Sequence, residues 1–559
     1  MSNNDIGIPK FKIDYNKVND IDLEELRNQF VLDEDDIQHD YNPFKVKSFQ
    51  HYNPTLDVFF KMDSSNYDAI CLNNSYKFVN LNTVQNIDSN VLEPREVFIK
   101  NSPLLDPIKY MIGKYDLKND KLRNLPQLND TTDICDPKLL SKNNSSYVDG
   151  FFSFLSSRVL HNYDFKNGLD YFGSFLALQE QYKMNISDDY DYLHDSDFFL
   201  DNLNKEWKVT KYDMLHQFME KNSRSNKEKL NISDEVLNIE DLINEEINVD
   251  VVDGNVDMSA GLEEVYDKPE SEDCESTSEE DDENSDYDDS DGSDEDEEED
   301  EDGSSEESNE ITMFSYIKNF PVQMICLEKC DGTIDELFEN ETMDEEKGCS
   351  ALLQVIMSLI VFQKAFQFTH NDLHTNNIMY NNTDIEFLYY KVNGKIYRVP
   401  TFGKIYKLID FGRAIYKYQG NIYCSDSFAP GGDAATQYNC EPYYNDNKPV
   451  IEPNMSFDLC RLGCSIYDFI IEDEKWEDMD GLQKTVHRWC QDDNDLNVLY
   501  KKNGSERYPN FKLYKMIART VHKHVPIKQL EFEFFNKYEW KGDLNEELIM
   551  DLDAVHSYV

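Results

Sequence analysis

The chain is short of positive charge. Its 559 residues carry 54 Lys and Arg against 112 Asp and Glu, a formal net charge of −58. That balance excludes nucleic acid as a partner, because phosphate backbones are held by Lys and Arg. There is also no CxxC pair. Eleven cysteines are scattered along the chain, the closest spacings being Cys326/Cys330 and Cys460/Cys464. They read as buried free thiols and exclude a zinc site or a secreted disulfide framework. The opening "MSNNDIGIPK" has no apolar core, so no signal peptide is expected there. The longest apolar runs, such as "VIMSLIVF", fall short of a membrane span, and the chain has no internal repeat. A reducing, cytoplasmic compartment is expected, with neither nucleic acid nor membrane as a partner.

What is present points to a folded protein with one anomalous segment. Hydrophobic residues make up 39% and aromatics 13%, and the length allows two or more domains. Ser233–Glu310 holds 37 acidic residues and one lysine, so it carries −36 of the net charge and leaves −22 for the rest. Self-repulsion and a lack of apolar groups predict disorder over 233–311. The segment is expected to be a solubilising insertion, or otherwise to dock a basic partner. Residues 1–45 read as a polar, partly ordered arm. Beyond them "YDAICL", "KFVNL" and "REVFIK" are strand-like. "YVDGFFSFLSSRVLH" is helical, with Phe152, Leu155 and Val159 at helical spacing. Residues 185–232 are charged and helix-prone. After the insertion, "PVQMICLEKC" is a buried strand and Cys349–Phe368 an apolar helix. "FLYYKVNGKIYRV" is a hairpin turning at Asn393-Gly394, where both residues suit a positive φ. The remainder from Ser456 is mostly helical.

The chemistry concentrates in "FTHNDLHTNNIMY", Phe368–Tyr380, a polar loop between the apolar helix and a strand near Ile378. Asp372 offers a carboxylate able to accept a proton from a hydroxyl. Asn377, five residues on, offers a carbonyl oxygen suited to a hard cation. In "KLIDFGRA", Asp410 ends an apolar strand, and Gly412 is expected to let the chain turn sharply. A carboxylate facing the asparagine would complete a Mg²⁺ site on the phosphates of ATP. Phosphoryl transfer needs these parts: an orienting base and cations that neutralise the transferring group.

Together "HNDLHTNN" and "DFG" resemble the catalytic loop and metal-binding motif of the protein kinase superfamily, with His370, Asp372, Leu373 and Asn377 at the family's spacing. The match runs from about Phe49 to Lys537, interrupted by the acidic segment. The resemblance implies an α+β fold in two lobes, a small β-rich one and a larger helical one, the insertion lying in the small lobe. The expected divisions are 1–45, 46–232, 233–311, 312–332 for the last small-lobe strand and hinge, and 333–559 for the large lobe. It implies a Ser/Thr-protein kinase using ATP and Mg²⁺, with Asp372 as base, Asn377 and Asp410 as metal ligands, and a protein substrate. "REVFIK" makes Lys100 the clamp on the α- and β-phosphates. "MICLEKCDGTIDELF" resembles the hinge strand, making Leu327 the gatekeeper and placing the backbone of Glu328 and Cys330 against adenine. "SFDLCRLGCSIYDF" resembles the helix whose aspartate, Asp458, braces the catalytic loop. The texture, rich in Asn, Asp, Ile and Tyr, resembles serine/threonine kinases of giant DNA viruses, which would place the protein in host cytoplasm or virion.

Several family features are missing. No glycine stands between Gly7 and Gly113, so a G-x-G-x-x-G phosphate loop is absent. Asn73, Asn74 and Ser75 are expected to supply a hairpin turn with free N–H groups instead. The helix "YVDGFFSFLSSRVLH" has no Glu to pair with Lys100; Asp149 is the nearest acid but lies early and is shorter. The arginine usual before the base is Asn371, so a phosphorylated activation loop lacks its usual cation. The lysine usual two residues after the base is His374, a form that resembles haspin-like and small-molecule kinases. Two alternatives follow: a pseudokinase scaffold, or a kinase of a small molecule.

Overall fold

The computed structural model describes residues 12–210, 312–471, 476–543 and 545–559. The predicted disorder of 233–311 and residues 211–232 of the helix-prone stretch before it lie outside these residues. The fold is mixed α+β.

The first part is built on an antiparallel sheet. Its strands are β1 (Val46–Gln50), β2 (Val97–Pro103), β3 (Tyr171–Asn185), β4 (Trp207–Val209) and β5 (Phe314–Glu328). Their order is β1-β3-β5-β2, with β4 also pairing β5. β5 is central and buried along most of its length, as its apolar run predicts. One edge of β5 passes from β4, at Ser315–Ile317, to β2, at Val322–Glu328. The gap contains Asn319 at φ +51° and Pro321, residues that suit an unpaired stretch.

Between β2 and β3 runs α1 (Ser145–Tyr163), started by Asn144, whose side chain accepts from Ser146 N, and stopped by Asp164 at φ +51°. Gly150 on α1 lies against the side-chain amide of Gln323. A Cβ there would lie 2.7 Å from Nε2 of Gln323 on β5.

The second part packs around α2 (Glu345–Phe366), nearly all of whose residues are buried. Alone among the described helices it is long and apolar enough to cross a bilayer by length and composition, although no uninterrupted apolar run within it has that length. Here 89% of its most apolar stretch is covered by protein. After it come β6 (Ile378–Asn382), β7 (Phe387–Val392), β8 (Lys395–Pro400) and β9 (Lys404–Leu408). β6 pairs with β9, and β7 with β8 through Asn393 at φ +51° and Gly394 at φ +72°, the turn read from sequence. A further hairpin, β10 (Ile415–Tyr418) and β11 (Asn421–Cys424), precedes α3 (Phe457–Ile470) and α4 (Lys512–Thr520).

One expectation fails here, and residues 12–45, read from sequence as part of a polar, partly ordered arm, contain regular structure. They hold helices at Leu23–Gln29 and Glu34–Gln38, each capped by an aspartate, and bury Leu26, Tyr41 and Phe44. The expectation that fails is the hairpin turn at Leu72–Tyr76. The strand Ile70–Leu72 pairs with Tyr15–Lys17, whereas Tyr76–Asn80 pairs with Thr83–Asn86, so the turn falls at Leu81–Asn82.

The residues flanking 211–311 lie side by side. Thr210 N donates to Phe314 O and Phe314 N to Thr210 Oγ1, both at 2.9 Å. The β4–β5 pairing therefore closes without the intervening chain. Deleting Ser233–Asn309 is expected to leave the melting temperature within about 2 °C, less than 1 kcal/mol shifts it in a domain of this size. Differential scanning calorimetry of the two proteins checks this, and a fall of many degrees contradicts it.

Candidate active site

The polar loop is held from beneath by Asp458, the second residue of α3. Its carboxylate accepts from His370 N at 2.9 and 3.1 Å and from Asn371 N at 2.9 Å. Burial pushes the Asp458 carboxyl above the usual carboxylate range, opposed by His370 and these two amides. His370 Nε2 donates to Ile409 O at 2.9 Å, tying the loop to the chain entering Asp410. Asn371 sits at φ +64°. Its amide donates to Arg413 O at 3.0 Å, and its carbonyl accepts from Tyr438 at 2.7 Å. An arginine fits neither the left-handed backbone nor this buried pocket well.

Asn377 Nδ2 donates to Asp372 O at 2.9 Å and meets His374 Nε2 at 3.0 Å. The imidazole accepts there and is neutral, consistent with burial lowering its pKa. With both amide hydrogens engaged, the carbonyl oxygen of Asn377 is the group left for a cation. The Asp372 carboxylate takes a hydrogen bond on Oδ1 from Tyr514 at 2.9 Å. Arg413 Nη1 stands 3.8 Å from the same oxygen, while Arg413 Nη2 is paired with Asp433 at 2.6 Å.

Lys100 on β2 projects between two acids, 2.7 Å from Asp149 Oδ2 and 2.8 Å from Asp410 Oδ1. The nearest acid read from sequence, Asp149, therefore does pair with the lysine in place of the missing Glu. Asp149 is early in α1 and short, but the close seating of Gly150 on β5 brings its carboxylate to the amine. Its other oxygen accepts from Phe411 N at 2.9 Å, so one buried carboxylate joins β2, α1 and the Asp-Phe-Gly turn. Burial raises the Asp149 carboxyl, partly offset by Lys100. For Asp410, burial is outweighed by Lys100, and the carboxyl falls to about 2. The sharp turn is made by Asp410 itself, at φ +61°, and not by Gly412, whose φ is not positive. A non-glycine residue in that region is strained, and such strain concentrates at functional sites.

A cavity of about 360 Å³ is lined by the apolar Phe98, Leu169, Leu327, Met379 and Ile409, together with Lys100, Asp410 and Glu328–Cys330. Glu328 points elsewhere. Its carboxylate accepts from Asp170 N and from the buried Lys407, both at 2.6 Å, and from Asn381 at 2.8 Å. It thus fastens the end of β5 to β6 and β9, and since Glu328 N also donates to Asp170 O at 3.0 Å, its carbonyl is the group that could meet a ligand. Burial pushes the Cys330 thiol up to about 12, so it stays protonated.

Three predicted residues are not brought to this cavity. Asn73 bonds Lys12 and Asp14, the buried Asn74 bonds Tyr171 O and Ser157, and Ser75 O accepts from Ile87 N. Their polar atoms serve the fold. Conversely, sequence reasoning missed Tyr514, Arg461 behind it, and the Glu328–Lys407 pair, none of which belongs to a short motif. Tyr416, Tyr418 and Tyr423, which follow Gly412, are fully buried in the β10–β11 hairpin, as is Ser425 beyond it.

Among the described residues no three His, Cys, Asp or Glu side chains gather to hold a metal. Asn377 and Asp410 fit instead a site of the Mg²⁺ kind, in which one or two protein oxygens share the ion with phosphates and water.

No family model matches the chain. Local similarity links it to serine/threonine-protein kinase haspin of Mus musculus and of Bos taurus, each 37% identical over 77 residues. These stretches are 14% of this chain and 10% of each haspin chain. The uncharacterized protein ZK177.2 of Caenorhabditis elegans is 28% identical over 83 residues, 15% of this chain and 27% of the relative. All three are animal proteins, so none supports the viral resemblance. A short stretch of this chain is similar to a protein kinase, and a kinase relationship is what that similarity supports.

Proposed function

We propose that the protein is a two-lobed kinase that transfers the γ-phosphoryl group of ATP, with Mg²⁺, to Ser or Thr hydroxyls of a protein substrate. One observation carries this reading: Lys100, paired with Asp149 and Asp410, lines a largely apolar cavity, and the loop from His370 to Asn377 is tied at both ends to Ile409, next to Asp410. The apolar walls suit a purine, and the backbone of Glu328 and Cys330 suits its polar edge. Lys100 suits the α- and β-phosphates. When bound, Mg²⁺ supplies neutralisation of phosphate charge, and Asn377 and Asp410 are the residues to hold it. Asp372 accepts the hydroxyl proton as the substrate oxygen bonds to the γ-phosphorus and the bond to the β–γ bridging oxygen breaks, leaving ADP.

The ion pair of Lys100 with Asp149 removes one of the two grounds for a pseudokinase. The missing glycine loop remains, and it argues for a looser hold on the phosphates. Cytoplasmic location, and docking of a basic partner by the acidic segment, stay proposals drawn from composition.

The test is purified chain with labelled ATP, Mg²⁺ and generic protein substrates. Transfer that EDTA abolishes is expected. Asp410→Asn is expected to weaken Mg²⁺-ATP binding and transfer together, at least tenfold, because it removes a ligand to the ion and a partner of Lys100. Binding of Mg²⁺-ATP without transfer to any substrate would favour the scaffold. Transfer to a small hydroxyl compound alone would favour the small-molecule kinase.

A further inference from the structure

We propose that Tyr514 and Arg461 act as a positioning relay for the base: the phenol of Tyr514 holds one oxygen of Asp372 so that the other is presented to the substrate hydroxyl. The inference rests on the reading of Asp372 as base. It concerns two residues far from the loop in sequence, Arg461 on α3 and Tyr514 on α4.

The geometry fixes the direction of every hydrogen bond. Arg461 Nε donates to Tyr514 OH at 2.9 Å, and a guanidinium can only donate. The tyrosine proton is therefore free for Asp372 Oδ1, also at 2.9 Å, and an ionised carboxylate can only accept. Donation into the phenol oxygen polarises its O–H and strengthens the second bond. A tyrosine that merely satisfied its own hydroxyl needs one partner. Here it has two, aligned as donor to donor to acceptor, ending on the base.

The ring is held as a rigid element. It stacks on Phe511 with centroids 5.4 Å apart and packs against Phe457 at 6.2 Å. The Arg461 guanidinium lies 5.1 Å from its centroid and that of Arg413 5.8 Å. Burial, with the charge of Asp372, keeps the phenol protonated. The side-chain contacts of Asp372 among the described residues, from Tyr514 and Arg413, all fall on Oδ1. His374 Nε2 is engaged with Asn377 and makes no hydrogen bond to the Asp372 carboxylate.

Phosphoryl transfer is almost entirely positioning and electrostatics, so a base free to rotate costs rate and not nucleotide affinity. With the full chain, Tyr514→Phe removes one oxygen and keeps the ring. It is expected to lower kcat at least tenfold with KM for ATP and the Kd of a non-hydrolysable ATP analogue unchanged. Arg461→Met should show the same split more weakly, and Arg461→Lys, which retains a donor, should recover part of the loss. Added to Asp372→Asn, Tyr514→Phe should lower the residual rate no further, because residues acting as a unit are non-additive. Near-UV circular dichroism checks the fold, and if Tyr514→Phe fails to fold, the two arginine variants carry the same test. Wild-type kcat in Tyr514→Phe, where Asp372→Asn is inactive, overturns the relay and leaves the kinase reading standing. A further independent loss in the double variant also overturns it. A wild-type chain that transfers nothing overturns the kinase reading, and the relay with it.

Discussion

Asp372→Asn is expected to lower the rate of phosphoryl transfer by about 10²–10⁴-fold, the range lost with a general base, while nucleotide binding stays unchanged. The carboxylate makes no contact with Lys100, Asp410 or the walls of the cavity. Its interactions are with Tyr514 and Arg413 on one oxygen, and with Asn377 through its backbone carbonyl. An asparagine in the same orientation keeps an acceptor for Tyr514 and the same backbone carbonyl, so the loop has no reason to move. What it loses is the ability to take a proton. The measurement is a single-turnover rate with labelled ATP beside a direct binding titration. Equal rates for the two proteins would remove Asp372 as base and promote the nucleotide-binding scaffold.

The second large effect is expected at Asp149. Asp149→Ala leaves Lys100 with Asp410 as its one acidic partner and strips the buried Phe411 N–H of its acceptor. Removing one partner of a buried, hydrogen-bonded ion pair costs about 3–5 kcal/mol. Some of that is recovered here because Asp410 stays beside the lysine. Transfer should fall at least tenfold, about 1.4 kcal/mol of barrier, because Lys100 and the turn at Asp410 both lose their anchor. Asp149→Glu, the residue the family pattern leads one to expect, should not be neutral either. The longer side chain must fit a buried position, between Lys100 and Phe411 N, that the shorter carboxylate already bridges. Urea denaturation and transfer assays on both variants check this. Wild-type stability and rate in Asp149→Ala would show that the buried pair is dispensable.

Much of the fold was legible because its signals are local. The apolar period of α2 marked a buried helix, and Asn393-Gly394 marked a hairpin. The spacing of His370, Asp372 and Asn377 and the later Asp-Phe-Gly at Asp410 marked a site for phosphate chemistry, because each lies within a short motif of its own. The N-terminal helices were missed because their few buried side chains, Leu26, Tyr41 and Phe44, are diluted by polar neighbours. The role assigned to Asn73–Ser75 came from the absence of glycine elsewhere, and an absence does not say which backbone replaces what is missing. The turn at Asp410 was assigned to Gly412 from glycine's general freedom, whereas an aspartate adopts the left-handed conformation when Lys100 and the loop hold it there.

The sequence by itself determined which chemistry this chain can attempt: a carboxylate base, an amide and a carboxylate for a hard cation, and a lysine on an extended strand. Local apolar pattern and turn residues determined where its long helix, its central strand and the Asn393-Gly394 hairpin lie. Which side chains meet was decided only by tertiary structure. Lys100 and Asp149 are 49 residues apart and Tyr514 and Asp372 are 142 apart, and no local propensity spans such distances. Their pairing follows from how α1 seats Gly150 against β5 and how α3 and α4 pack behind the loop. Buried charges and hydroxyls must find partners there, because leaving them unpaired in the core costs more than the packing gains.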